Sequence, residues 1–190
     1  MNSSSANLGS ELSTGSPVSS GPLESARARL RRLQVTDFAK MRSLDSEPDV
    51  MRFTPMQVPQ SEEQTRQRIQ SQMERQKGLD PFGIWLAEEK HSSEFLGWFM
   101  LIPGKEKELE LGFMLPPAQW GRGFATEIGK ALVGLARSQK VERLTARTSL
   151  DNHASIRVLE KLGFRFKEIL AVVENGSEGQ VKLNFFELRF

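Results

Sequence analysis

Between residues 108 and 139 the chain changes its periodicity, and that change restricts the folds open to it. Residues 108–115 place Leu109, Leu111 and Phe113 at alternate positions, the period of a strand. Residues 121–139 repeat Phe124, Ile128, Ala131, Leu132 and Leu135 at helical spacing. The join is Leu115-Pro-Pro-Ala-Gln-Trp120-Gly121-Arg122-Gly123-Phe124-Ala125-Thr126, with glycines where the helix begins. A helix start presents N–H groups without intrahelical partners and the positive end of the macrodipole. Glycine there lets an anion approach the backbone with no Cβ in the way. The segment therefore reads as a phosphate cradle or as a tight strand-to-helix turn.

Two common phosphate motifs do not fit it. The dinucleotide pattern fails because Gly121 and Gly123 are followed by Thr126, where a third glycine belongs. The Walker pattern fails because Gly129-Lys130 lies inside the helix, where backbone cannot wrap a phosphate. Hydride transfer and nucleotide hydrolysis are poor readings.

The rest of the chain supplies alternating elements. Residues 1–25 hold nine Ser with Gly and Pro between them, a composition that cannot offset its ordering entropy, so a disordered tail is expected before a domain over 26–190. Leu30, Leu33 and Val35 suggest a first strand, with a short helix to Leu44. Residues 46–60, with three prolines, read as an ordered loop. Ser61-Glu-Glu-Gln64 has the form of a capping box ahead of a solvent-facing helix anchored by Ile69 and Met73. Strands follow at 82–87, 95–102 and 108–115, with a hairpin turn at Gly104 and Lys105-Glu106-Lys107. A further strand at 143–150 precedes a helix over 153–162 that ends at Gly163. A last strand pair, 166–173 and 181–190, joins across Asn175-Gly176 and Gly179. This order indicates one mixed α/β domain.

Composition removes several chemistries. The chain has no Cys, so thiolate nucleophiles, disulfides and Cys-ligated metals are excluded. It has no Tyr, so no phenol can serve as an acid. With only His91 and His153, a multi-histidine metal site is not expected, and no metal is. The net charge of +2 suits a small anionic ligand and is too weak to argue for nucleic acid. No apolar run nears the roughly 18 residues of a membrane span, and the first residues lack a secretory signal. A cytoplasmic protein that binds neither membrane nor nucleic acid is expected.

A second segment gives the glycine loop its meaning. Trp120-Gly-Arg-Gly-Phe-Ala-Thr-Glu127, followed about 25 residues later by Asn152-His-Ala-Ser155-Ile-Arg-Val-Leu-Glu-Lys-Leu-Gly163-Phe164, resembles the GNAT superfamily of N-acetyltransferases. It is most similar to the Rim-type branch, which acetylates α-amino groups of ribosomal proteins. Trp120 stands where the superfamily pattern has Gln or Arg, a departure familiar in that branch. The resemblance implies a single GNAT-like α/β domain. Its central sheet would be mixed and mostly antiparallel, with helices on both faces and a splayed parallel strand pair forming the cofactor cleft.

The resemblance also implies a site for acetyl-coenzyme A. The N–H groups of Arg122, Gly123, Phe124, Ala125 and Thr126 would bind the pyrophosphate. Exposed backbone of Phe113, Met114 and Leu115 would pair with the pantetheine amides, and Asn152 would bond the pantetheine arm or cap its helix. Gly112 marks a close backbone approach or a packing spot. Arg157 could reach a phosphate or stand in solvent.

The implied chemistry is direct attack of a neutral amine on the thioester in a ternary complex. Lacking Cys, the chain offers no cysteinyl acyl-enzyme. Ser155 is the candidate acid toward the leaving thiolate, or else a helix-face Ser bonding backbone. Glu110 is the candidate base, directly or through water, or else a solvated edge carboxylate. Its strand alternation places Glu110 with Gly112 and Met114, opposite Leu109, Leu111 and Phe113. His91 and His153 read as bystanders. The acceptor is expected to be a protein N-terminus, with a small molecule such as an antibiotic or polyamine as the alternative. A GNAT-like module that senses acyl-coenzyme A without catalysis is the other reading. Monomer or homodimer is open, with Phe185-Phe186 offering a strand for pairing.

Overall fold

The two strands expected on either side of the Gly104 turn become β4 (Phe95–Pro103) and β5 (Leu109–Met114), antiparallel neighbours in register from Trp98–Met114 to Pro103–Leu109. The structure is a computed structural model that describes residues 23–104, 108–173 and 180–190. The residues assigned to the two hairpin turns, 105–107 and 175–179, lie outside the described residues, as does the tail assignment for 1–22.

β1 (Leu23–Glu24) pairs with β2 (Ala28–Arg32), so regular structure begins before Ala26. Val35 lies past β2 in a 3-10 turn and is exposed. With β3 (Gly83–Glu89), β6 (Arg143–Ser149), β7 (Arg165–Val172) and β8 (Val181–Arg189), the described strands form one eight-stranded sheet in the order β1-β2-β3-β4-β5-β6-β8-β7. Every pairing is antiparallel except β5–β6.

Helices cover both faces, as expected. On one face α4 (Phe124–Ser138) and α5 (His153–Lys161) bring Phe124, Ile128, Leu132 and Leu159 onto Phe99, Leu101, Leu111, Leu144 and Ala146. On the other, α1 (Phe38–Asp45), α2 (Pro48–Met51) and α3 (Glu62–Arg75) bring Met41, Leu44, Val50 and Ile69 onto Ile84, Leu86, Trp98 and Ile102. Each such side chain, fully buried, contributes about 1.5–3 kcal/mol.

Local signals set the helix ends. The capping box forms at α3: Gln64 N–H donates to Ser61 Oγ at 3.2 Å, and Ser61 N–H donates to Gln64 Oε1 at 2.7 Å. α3 is more than a flank, since Thr65, Ile69 and Gln72 are buried, and Trp98 Nε1 donates to Gln72 Oε1 at 2.9 Å. α5 stops at Gly163 (φ +93°), where Phe164 N–H returns to the Leu159 carbonyl at 3.0 Å.

The loop expected over 46–60 contains α2. Glu47 accepts the Asp49 N–H at 3.3 Å, and Pro48 occupies the first turn. The three prolines of this stretch mask a local start signal.

Candidate active site

β5 and β6 pair at two registers only, Leu109–Leu144 and Glu110–Thr145. Beyond Glu110 the strands part. β5 stays with β4 to its end, because Gly97 (φ +150°) lacks the Cβ that would lie 2.5 Å from the Met114 carbonyl oxygen. Backbone groups that would otherwise pair across β5–β6 are left facing a gap, and such groups require partners. The gap opens into a cavity of about 330 Å³.

Most of the expected cofactor residues line that cavity. From β5 and its exit come Phe113, Met114 and Leu115; from the glycine loop and α4 come Gly123, Phe124, Ala125 and Thr126. From the start of α5 come Asn152 and Ser155.

The glycine loop is shaped as a cradle. Gly121 (φ +72°) and Gly123 (φ +85°) both adopt the left-handed conformation that favours glycine, and Gly123 is the N-cap of α4. A Cβ on Gly121 would stand in open space, so no neighbouring atom compels that glycine sterically. The first N–H groups of α4 have no partner within the helix, and Gly123, Phe124, Ala125 and Thr126, which carry them, line the cavity. Trp120 explains its place in the motif: its Nε1 donates to the Leu115 carbonyl at 2.8 Å and closes the strand-to-helix connection.

Arg122 is placed differently from the other loop residues. Its guanidinium donates to Gln119 Oε1 at 2.6 Å and lies over the Phe124 ring, and Arg122 is not among the cavity-lining residues.

Glu110 is also set back. Arg147 Nε and Nη2 donate to its two carboxylate oxygens at 3.0 and 3.1 Å. Arg147 lines the cavity and Glu110 does not. The strand parity is as read, with Leu109 and Leu111 in the α4–α5 core and Glu110 on the opposite face. Parity gives no information about the cross-strand arginine, which comes from a strand 37 residues away.

Asn152 caps α5: its Oδ1 accepts the Ser155 N–H at 3.0 Å. That cap does not use its amide NH2, and Asn152 lines the cavity. Gly112 both packs on Met100, whose Cε would lie 2.6 Å from a Cβ there, and lines the cavity, so it serves packing and leaves the backbone open on that side. His91 and His153 are exposed and outside the lining.

Several lining residues escaped the sequence reading. Val50, Phe53 and Thr54 come from α2 and its exit, Thr148 and Arg147 from β6, and Lys161 joins Arg157 from α5. Helical spacing 157–161 could have flagged the two cations; the α2 residues carried only the Pro48 signal. Among the described lining residues there is no Asp or Glu, while Arg157 and Lys161 supply positive charge and Arg147 is paired with Glu110. That balance, the cradle and the parted strands fit a long anionic ligand with amide groups, which is what acetyl-coenzyme A is.

The family model described as the acetyltransferase (GNAT) domain matches residues 27–165. The chain is a member of the GNAT family. A GNAT of this kind is an acyl-coenzyme-A-dependent N-acetyltransferase. The uncharacterized protein YkkB of Bacillus subtilis (strain 168) is 30% identical over 149 residues, covering 76% of this GNAT and 85% of YkkB. A GNAT-family acetyltransferase structure from Bacillus anthracis superposes with a TM-score of 0.73 at 21% identity, covering 87% and 96% of the two chains. RimL, a ribosomal L7/L12 α-N-protein acetyltransferase solved with coenzyme A, gives 0.70 at 18%, covering 87% and 95%. At these identities the structures establish the shared fold. Among the described residues no helix is long and apolar enough to cross a membrane, and no cluster of metal-ligating side chains occurs.

Proposed function

We propose that this GNAT acetylates the α-amino group of a protein N-terminus by direct attack in a ternary complex with acetyl-coenzyme A. The observation that carries the site is the parting of β5 from β6 beside the left-handed glycine loop. The resemblance to the Rim-type branch supports the acceptor class. The cavity lining supports it too: Arg157 and Lys161 line the cavity, and among the described lining residues no carboxylate stands to hold the second ammonium of a polyamine. A peptide N-terminus needs only one neutral amine and a main chain that can hydrogen-bond.

The cofactor supplies an activated acetyl thioester. The chain's residues bind and orient it. N–H groups from Arg122 to Thr126 hold the pyrophosphate, and the free edge of Phe113–Leu115 pairs with the pantetheine amides. Asn152 donates its amide to the same arm. Ser155 lines the cavity and gives a proton toward the departing sulfur. Glu110 takes the amine proton through a water, since its carboxylate is paired with Arg147 and does not itself line the cavity. Placement of two reactants in one cleft supplies much of the rate enhancement in such reactions.

Thermal melting with acetyl-coenzyme A tests the site. A ligand at a hundredfold excess over Kd stabilises the native state by about 2.7 kcal/mol. Equal stabilisation by ATP across the titration would sink the coenzyme A site. Mass spectrometry with N-terminal peptides, spermidine and simple amines then tests the acceptor. Acetylation of spermidine with peptides untouched would favour the small-molecule reading. Absence of turnover with every amine, despite tight binding, would favour the sensor.

A further inference from the structure

The residues that line the cavity between β5 and β6 come from both faces of the sheet, so the cavity passes through it. On one face stand the glycine loop and the start of α5, where acetyl-coenzyme A is placed above. On the other stand Val50, Phe53 and Thr54 from α2 and its exit, Met114 from β5 and Arg147 from β6. Strand alternation sorts them: Ala146 lies in the α4–α5 core, which turns Arg147 to the opposite face. Val50 and Met114 pack in the cluster under α1 and α3. With the cofactor in the first mouth, the acceptor amine enters by the second.

The walls of this second mouth are apolar, and the charges around it are closed into pairs. Val50 is buried, and Phe53 and Met114 are half-buried. Arg52 lies 4.6 Å over the Phe53 ring and pairs with Asp49 at 3.6 Å. Arg68 reaches Met114 Sδ at 3.4 Å and pairs with the buried Asp45. Arg147 pairs with Glu110. None of these three carboxylates lines the cavity. Thr54 donates its hydroxyl to the Met51 carbonyl at 2.8 Å. A cation brought into this mouth would lose hydration beside arginines and meet no carboxylate in the lining, whereas an apolar group would meet Val50, Phe53 and Met114.

We propose that this mouth selects an acceptor whose amine is flanked by an apolar group, as in an N-terminal residue with an aliphatic side chain, and rejects one flanked by a second cation. Phe53 is the specificity-determining contact. The inference rests on acetyl-coenzyme A occupying the α4–α5 side, and it holds for a peptide and for a small amine alike.

Two isosteric pairs of acceptors test it. Peptides beginning with norvaline or with 2,4-diaminobutyrate differ by a methyl group against an ammonium, as do butylamine and 1,3-diaminopropane. The kcat/KM for acetyl transfer is expected to favour the apolar member of each pair by roughly tenfold or more. Phe53→Glu, which sets a carboxylate in the mouth, is expected to bring each pair to parity or reverse it, and Phe53→Leu to keep the preference. Both variants should hold the circular dichroism spectrum and acetyl-coenzyme A affinity of wild type, because Phe53 lies across the sheet from the glycine loop. Equal kcat/KM within each pair overturns the proposal, and so does a preference that Phe53→Glu leaves unchanged. Preference between the two amines with both peptides untouched removes the N-terminus reading and keeps this one. Binding of acetyl-coenzyme A without transfer to any of the four acceptors overturns both.

Discussion

Arg27 and Glu127, a hundred residues apart, tie the entry of β2 to the first turn of α4. Arg27 Nε donates to Glu127 Oε2 at 2.7 Å, and the Arg27 backbone N–H donates to Oε1 at 2.7 Å. The Ser25 hydroxyl donates to the same oxygen at 2.7 Å. Arg27 Nη2 donates in turn to the Arg122 carbonyl at 3.1 Å, and its guanidinium lies 4.2 Å over the Phe124 ring. One side chain thus grips both ends of the glycine turn.

Arg27→Ala is therefore expected to raise the Kd for coenzyme A several-fold while lowering stability by about 1 kcal/mol, since the pair is partly solvated. Arg27→Lys should not restore binding, because one ammonium cannot reproduce the forked contact with carboxylate and carbonyl. Calorimetric titration and urea unfolding of both variants check this. Normal affinity in Arg27→Ala would show that the cradle holds its shape without the clamp.

The same pair predicts a pH dependence. Burial opposes ionisation of Glu127, but the Arg27 N–H, the Ser25 hydroxyl and the Arg27 guanidinium outweigh it and hold the carboxyl below its ordinary value of 4.5. A carboxyl depressed in the folded state contributes stability that is present above its unfolded pKa and is lost as pH falls through the folded one. The stability gap between wild type and Glu127→Gln should be largest near neutrality and close below about pH 4. Urea unfolding at a series of pH values measures it, and a gap that is independent of pH would remove the ion pair as its cause.

At Gly123 the positive φ adds a folding penalty to any effect on binding. A side chain here would stand where an anion approaches the loop backbone. With φ at +85°, an L-residue is strained whatever space surrounds it. Gly123→Ala should lower stability by about 1–2 kcal/mol and weaken coenzyme A binding as well. Gly121→Ala, at φ +72° with open space beside it, should show similar strain. Melting temperatures with and without coenzyme A separate the two effects.

Glu110→Gln and Ser155→Ala should differ in their pH behaviour. General acid–base help is worth about 10²–10⁴-fold, and loss of the base should fall hardest near neutral pH, recovering as free amine accumulates. Glu110→Gln should also reduce stability, because it takes the carboxylate from a bidentate pair with Arg147. Ser155→Ala should slow turnover across the pH range with acetyl-coenzyme A affinity kept, since the Asn152 cap uses its backbone N–H. Full activity of Glu110→Gln from pH 6 to 9, within about twofold where a much larger loss is expected, would leave Glu110 a purely structural partner of Arg147.

What the sequence determined by itself was local. Strand alternation at Leu109–Phe113, the helical repeat from Phe124, the Ser61–Gln64 box and the Gly163 stop all act within a few residues, and each forms where its pattern lies. The paired motifs at 120–127 and 152–164 also meet on one cavity, as the family resemblance implied. Tertiary structure decided what depends on distant partners. Only folding brings Arg147 onto Glu110, Arg27 onto Glu127 and the Arg122 carbonyl, and α2 onto the cleft beside Met114. These contacts join residues tens of positions apart, and no hydrophobic period encodes them. A carboxylate's chemistry in particular is set by the cation that sits across from it, and strand parity leaves that neighbour undetermined.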